Sequence, residues 1–86
     1  MGSAKRIKPA RLGEKLFSIR KKLGYSLPEM AKTLSGNHIT LRKQDISRFE
    51  KGSREPNLIT MLAYSRLIKI QLEILVDDLL DLPEDF

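Results

Sequence analysis

Apolar residues recur at helical spacing along almost the whole chain, and this recurrence limits the fold more than any other feature. Leu12, Leu16, Ile19 and Leu23 share one helical face, with Lys15, Arg20, Lys21 and Lys22 elsewhere on its surface. Gly24 is placed to end that helix by accepting a positive φ. Ser26 or Leu27 caps a second helix, with Pro28 in the first turn, where its missing N–H is not needed, and Glu29 at the positive end of the dipole. Leu27, Met30, Ala31 and Leu34 give this helix its inner face, and Ser35-Gly36-Asn37 closes it. A third helix is expected from about Thr40, a plausible cap, to Glu50 or Lys51, with Ile46 and Phe49 inward and Gly52 as the stop. Asn57 caps a fourth, carrying Leu58, Met61, Leu62 and Leu67 or Ile68. A fifth contains Leu72, Leu75, Val76, Leu79 and Leu80. No useful strand alternation and no internal repeat interrupts the pattern. The expected fold is all-α, a compact bundle of five short helices. Residues 1–11 are expected to form a flexible basic arm, 12–80 the domain and 81–86 an acidic tail.

A chain of 86 residues has room for one modest core. It contains no cysteine, so disulfides, thiolate metal sites and thiol nucleophiles are excluded, which suits a reducing compartment. No apolar run approaches a membrane span or a signal peptide, and the expectation is a soluble, cytoplasmic protein. The one histidine, His38, lies in a Gly/Asn turn, and no zinc-protease motif, phosphate loop or nucleophile elbow accompanies it. Asp77, Asp78, Asp81, Glu84 and Asp85 lack the alternating ligands and central glycine of a calcium loop, so a solvated acidic face is expected. The expectation is therefore no catalysis, no cofactor and no metal.

Net charge is +5, but its distribution is more informative than its sum. Residues 1–54 carry 14 Lys and Arg against 4 Asp and Glu, a balance of +10, whereas residues 55–86 carry 2 against 7, a balance of −5. A cationic half of this kind favours a polyanion, and duplex DNA carries one phosphate charge per about 1.7 Å of axis. The third helix concentrates the signal. Arg42, Lys43, Gln44, Ser47, Arg48 and Lys51 are polar there. Two short helices separated by a turn, the second with cationic and amide side chains along one side, suit a helix crossing the DNA backbone followed by one lying in the major groove. Lys5, Arg6, Lys8 and Arg11 form a basic arm able to reach the backbone or an adjacent minor groove.

Three segments in this order give the sequence a resemblance to the Cro/CI-like (XRE-family) helix-turn-helix DNA-binding domains. They are residues 16–26 with Arg20 and Gly24, then Glu29-Met30-Ala31, then Ile46-Ser47-Arg48-Phe49-Glu50-Lys51-Gly52 with Pro56 beyond it. Leu58 through Leu75 matches the family's closing two-helix pattern. The resemblance implies a phage-repressor-like bundle with the helix-turn-helix formed by helices 2 and 3. It assigns Lys43, Gln44 and Arg48, with Arg42 and Ser47 nearby, to base reading, and Lys51, Ser53 and Arg54 to phosphate. It pairs Arg20 with Glu50 as a structural ion pair. It implies a small prokaryotic transcriptional regulator, a repressor, associated with the nucleoid when bound to double-stranded DNA. A homodimer on a palindromic site is expected, with recognition helices about 34 Å apart. The alternative is an interaction module, antitoxin-like or adaptor-like, using the acidic C-terminal helix to hold a protein partner. Two departures stand out. The turn through Ser35-Gly36-Asn37-His38-Ile39 is longer than the family's, and Leu27-Pro28 stands where the family often has a phosphate-contacting glutamine. Asp45 on a DNA-facing helix would repel phosphate unless it accepts from cytosine N4 or faces away.

Overall fold

Each predicted run of helical periodicity becomes a helix in the computed structural model, which describes residues 10–36 and 39–84. These are α1 (Leu12–Leu23), α2 (Leu27–Leu34), α3 (Lys43–Lys51), α4 (Leu58–Ile68) and α5 (Leu72–Val76), with no strand among the described residues.

The helix ends have identifiable causes. Gly24 and Gly52 end α1 and α3 at φ 74 and 76, the left-handed conformation a glycine adopts at no steric cost. Ser26 opens α2 with a full capping box: its Oγ accepts from the Glu29 N–H at 3.2 Å, and the Glu29 carboxylate accepts from the Ser26 N–H at 2.9 Å. Asn57 Oδ1 accepts from the Thr60 N–H at 2.8 Å and fixes the start of α4. Lys69 ends α4 in the left-handed region without being a glycine.

The core is one cluster contributed by all five helices. Leu16 and Ile19 of α1, Met30 of α2, Ile46 of α3, Tyr64 of α4 and Leu75 of α5 have no exposed surface. The α3 helix is held between α1 and α2, while α4 packs on α5 and α2. This sandwiching matters for function, because it fixes α3 along its inner side only.

Three expectations require correction. The third helix begins at Lys43, not near Thr40; Arg42 is its cap, with extended backbone at φ −115 and ψ 164. The capping carboxylate comes from inside the helix, where Asp45 Oδ2 accepts from the Arg42 N–H at 2.9 Å. The fifth helix ends at Val76, before Leu79 and Leu80. Asp77 turns the chain there, its Oδ1 accepting from the Leu79 N–H at 2.9 Å, and Leu79 is left 90% exposed. Finally, Arg11 is not a free part of an arm. Its guanidinium donates to the Asp78 carbonyl at 2.7 Å and to Asp81 Oδ1 at 2.5 Å, and the Asp78 carboxylate accepts from the Ala10 and Arg11 N–H groups at 2.8 and 3.0 Å. Lys15, buried beside this clasp, donates from Nζ to the carbonyls of Ile74 and Asp77 at 2.7 and 2.8 Å, and so caps the C-terminal end of α5. Lys22 reaches the Glu84 carbonyl, closing the C-terminal segment onto α1.

Candidate nucleic-acid interface

The α3 sequence divides cleanly by side. Asp45, Ile46 and Phe49 are buried, whereas Lys43, Gln44, Arg48 and Lys51 are exposed and Ser47 is half-buried. The outward residues recur one helical turn apart and form a single face. Together with Leu27 from the start of α2 and Ser53 beyond Gly52, they line an open groove of about 460 Å³. Arg42 is exposed immediately before the helix, on extended backbone. Among the described residues, Lys43, Arg48 and Lys51 make no ion pair, so their charges stay available to an external anion.

Two ion pairs hold this face in place. Arg20 of α1 meets Glu50 of α3 in a two-point contact, Nε to Oε2 at 2.7 Å and Nη2 to Oε1 at 3.0 Å, with side chains only 14% and 7% exposed. The remaining Arg20 Nη1 donates to the Tyr25 carbonyl at 3.0 Å, tying the turn between α1 and α2 to the same guanidinium. The second pair explains Asp45. Its carboxylate faces away from the groove, with Oδ1 accepting from Arg54 Nη1 at 2.9 Å and Oδ2 from the Arg42 N–H. Arg54, still largely exposed, also lies over the Phe49 ring at 6.0 Å. The loop after α3 is thereby joined to the helix's first turn.

The longer connection between α2 and α3 is anchored at both ends. Ser35 Oγ donates to the Ala31 carbonyl at 2.7 Å and accepts from the Leu41 N–H at 3.0 Å. Asn37 and His38 lie outside the described residues, as do Lys5, Arg6 and Lys8 of the basic arm and Asp85 of the acidic tail. The structure therefore brings together Lys43, Gln44, Ser47, Arg48, Lys51 and Ser53 in one groove; Arg42 and Arg54 do not line it, and their guanidinium groups lie beside the Asp45 carboxylate in the first turn of α3. Among the described residues no three His, Cys, Asp or Glu side chains are grouped to hold a metal ion.

A family model described as helix-turn-helix matches residues 16–75. The chain belongs to the helix-turn-helix family. Its fold is that of the phage repressors: a crystal structure of the P22 c2 repressor protein in complex with a synthetic operator superposes with a TM-score of 0.67 at 25% sequence identity, covering 78% of this chain and 94% of that one. No curated protein matches. In helix-turn-helix terms α2 and α3 are the motif, and α1, α4 and α5 are its support.

Three contributions to this motif are not evident from the sequence. Lys15 has the look of one more surface cation of α1, and only the packing of α5 shows why it is buried. Asp45 has the look of a misplaced acid. Leu27 fits the inner side of α2, although part of it also lines the groove. A signal for Asp45 does exist in Arg42 three residues before it, since an acid at that spacing commonly bonds the cap N–H.

Proposed function

We propose that this protein is a sequence-specific double-stranded DNA-binding transcriptional regulator, a repressor, with α3 as the recognition helix in the major groove. The observation that carries this reading is the division of α3: a continuous exposed face of cationic and amide side chains on a rod anchored by Ile46, Phe49 and the Arg20–Glu50 pair. Arg42, Lys43, Gln44, Ser47 and Arg48 read bases in this proposal. Gln pairs with adenine N6 and N7, and Arg and Lys with guanine O6 and N7, each good contact discriminating by about 1–3 kcal/mol. Lys51, Ser53 and Arg54 bind phosphate and set the register without reading sequence. Lys5 and Arg6, in the arm, add phosphate contacts.

The operator bound by the P22 c2 repressor in its crystal structure supports the choice of duplex DNA over other polyanions. A homodimer on a palindromic site, in the cytoplasm of a prokaryote, completes the proposal, with two recognition helices spaced by one turn of DNA. Docking through the acidic C-terminal helix is the weaker reading. That helix has five residues, and Asp78 and Asp81 beyond it are engaged by Arg11 of the same chain. No catalytic role forms part of the proposal.

The test is selection of bound duplexes from a random pool, then titration at several salt concentrations. The expected result is one enriched site of two-fold symmetry, with log K falling against log salt at a slope of about −0.9 per phosphate contacted. No enrichment, or binding indifferent to salt, would overturn the proposal.

A further inference from the structure

The start of α2 lines the same groove as α3, yet its chemistry is set against anions. The first N–H groups of a helix are ordinarily unpaired and attract phosphate. Here the Glu29 N–H is taken by Ser26 Oγ, the Ser26 N–H is taken by the Glu29 carboxylate, and Pro28 has no N–H to offer. Hydrogen bonds from the Ser26 backbone and hydroxyl hold the Glu29 carboxyl below the usual carboxylate range, so it is an anion at neutral pH. A phosphate at this position would meet a negative charge and few free donors.

What the α2 start offers the groove instead is Leu27. Among the described residues it is the groove's single apolar lining residue; the others are polar side chains of α3 and Ser53. Leu27 is half-buried, partly packed on the core and partly on the groove wall. An apolar side chain facing a duplex among donors and acceptors gains only from an apolar partner. The apolar group that base pairs present in the major groove is the C5-methyl of thymine.

We infer that Leu27 is a specificity-determining residue whose side chain packs against the C5-methyl of a thymine, beside the bases read from α3. This rests on the DNA-binding reading above and adds to it a preference for a thymine at one position of each half-site. The contact discriminates by shape and desolvation, not by hydrogen bonding, so it is independent of the polar readers.

The experiment replaces each thymine of the selected duplex in turn by deoxyuridine, which removes the methyl and keeps the base pairing. Wild type, Leu27→Ala and Leu27→Gln are titrated against the series, with circular dichroism confirming that each is folded. One position in each half-site is expected where deoxyuridine weakens wild-type binding about three- to fivefold, the size associated with burying one methyl group, and where neither variant responds. Leu27→Gln retains side-chain length without its apolar end, and so decides the matter if Leu27→Ala fails to fold. The inference is overturned if no thymine methyl affects the wild type, the result expected if Leu27 rests on deoxyribose. It is equally overturned if all three proteins lose affinity alike. Failure of folded wild type to bind any duplex is a different outcome, seen before any base is changed, and defeats the DNA-binding reading itself.

Discussion

Gly13 is the second residue of α1, a position where alanine would ordinarily be preferred by about 1 kcal/mol. Its reason lies in α3: a Cβ there would stand 2.7 Å from the Glu50 carbonyl oxygen and 3.1 Å from that of Phe49. Because both neighbours are backbone, relief requires the helices to separate. We expect Gly13→Ala to lower stability by about 1–2 kcal/mol, as an unfavourable overpacking larger than the propensity gain. Urea denaturation checks this, with the midpoint falling at unchanged slope; a rise in midpoint would show that α1 can withdraw without cost. The Arg20–Glu50 pair presents the opposite case, in which removal is the damage. Arg20→Ala strands a carboxylate that is 7% exposed, and breaking one side of such a pair costs about 3–5 kcal/mol. That loss is a large share of a total of about 4–13 kcal/mol for 86 residues, and is expected to lower the thermal midpoint by about 12–40 °C. The double variant lacking both charges is expected to recover part of the loss, whereas a single-variant loss below about 1 kcal/mol would class the pair with exposed ones.

The recognition helix owes its starting point to Asp45. Replacing that residue by alanine takes away both the acceptor for the Arg42 N–H and the partner of Arg54. For Asp45→Ala a cost of about 1–2 kcal/mol is expected, with faster amide hydrogen exchange in the first turn of α3 and little change in α4. Uniform acceleration across the molecule would contradict a local role. The clasp between the C-terminal segment and the start of α1 gives a second prediction. N–H donors of Arg11 and Ala10 lower the Asp78 carboxyl below its usual range, and the Arg11 guanidinium lowers Asp81. With folded-state values depressed, this stabilisation is fully present above the unfolded carboxylate value of about 3.9 and is lost as pH falls through the folded-state values. Asp78→Asn is therefore expected to flatten the acid limb of a stability-against-pH curve; an unchanged limb would show that the clasp contributes nothing. These elements also show how much of the fold is legible in the sequence. The bounds of α1 and α2 come from apolar spacing and from Gly24 and Ser26, and the start of α4 from Asn57, because those signals are local. The start of α3 is harder to place because Thr40 resembles a cap, while the effective carboxylate sits inside the helix. Leu79 and Leu80 continue the spacing of α5, but Asp77 bonds the Leu79 N–H and turns the chain away. The burial of Lys15 depends on carbonyls of Ile74 and Asp77, contacts that no local pattern records.

Over the whole molecule, charge is segregated along the chain, and folding pairs off part of this segregation. The acids Asp78 and Asp81 close on Arg11, Glu50 on Arg20 and Asp45 on Arg54, while Lys43, Arg48 and Lys51 on α3 keep no acidic partner among the described residues. The result is a rigid support that spends its carboxylates on positioning and leaves one cationic groove facing outward. The groove's outline is readable from α3 alone, but its wall from Leu27 requires the packing of α2 against α3. Base reading by α3 is tested most directly by comparing Gln44→Ala and Lys51→Ala with wild type on the selected duplex, on its single-base-pair variants and on random duplex, at several salt concentrations. Gln44→Ala is predicted to lose discrimination at one base pair of each half-site by about 1–3 kcal/mol with the salt slope unchanged, whereas Lys51→Ala weakens every duplex alike and lowers the slope by about 1 per subunit. Equal losses from both variants on specific and random duplexes would contradict base reading, since α3 would then be attracting DNA without distinguishing its sequence.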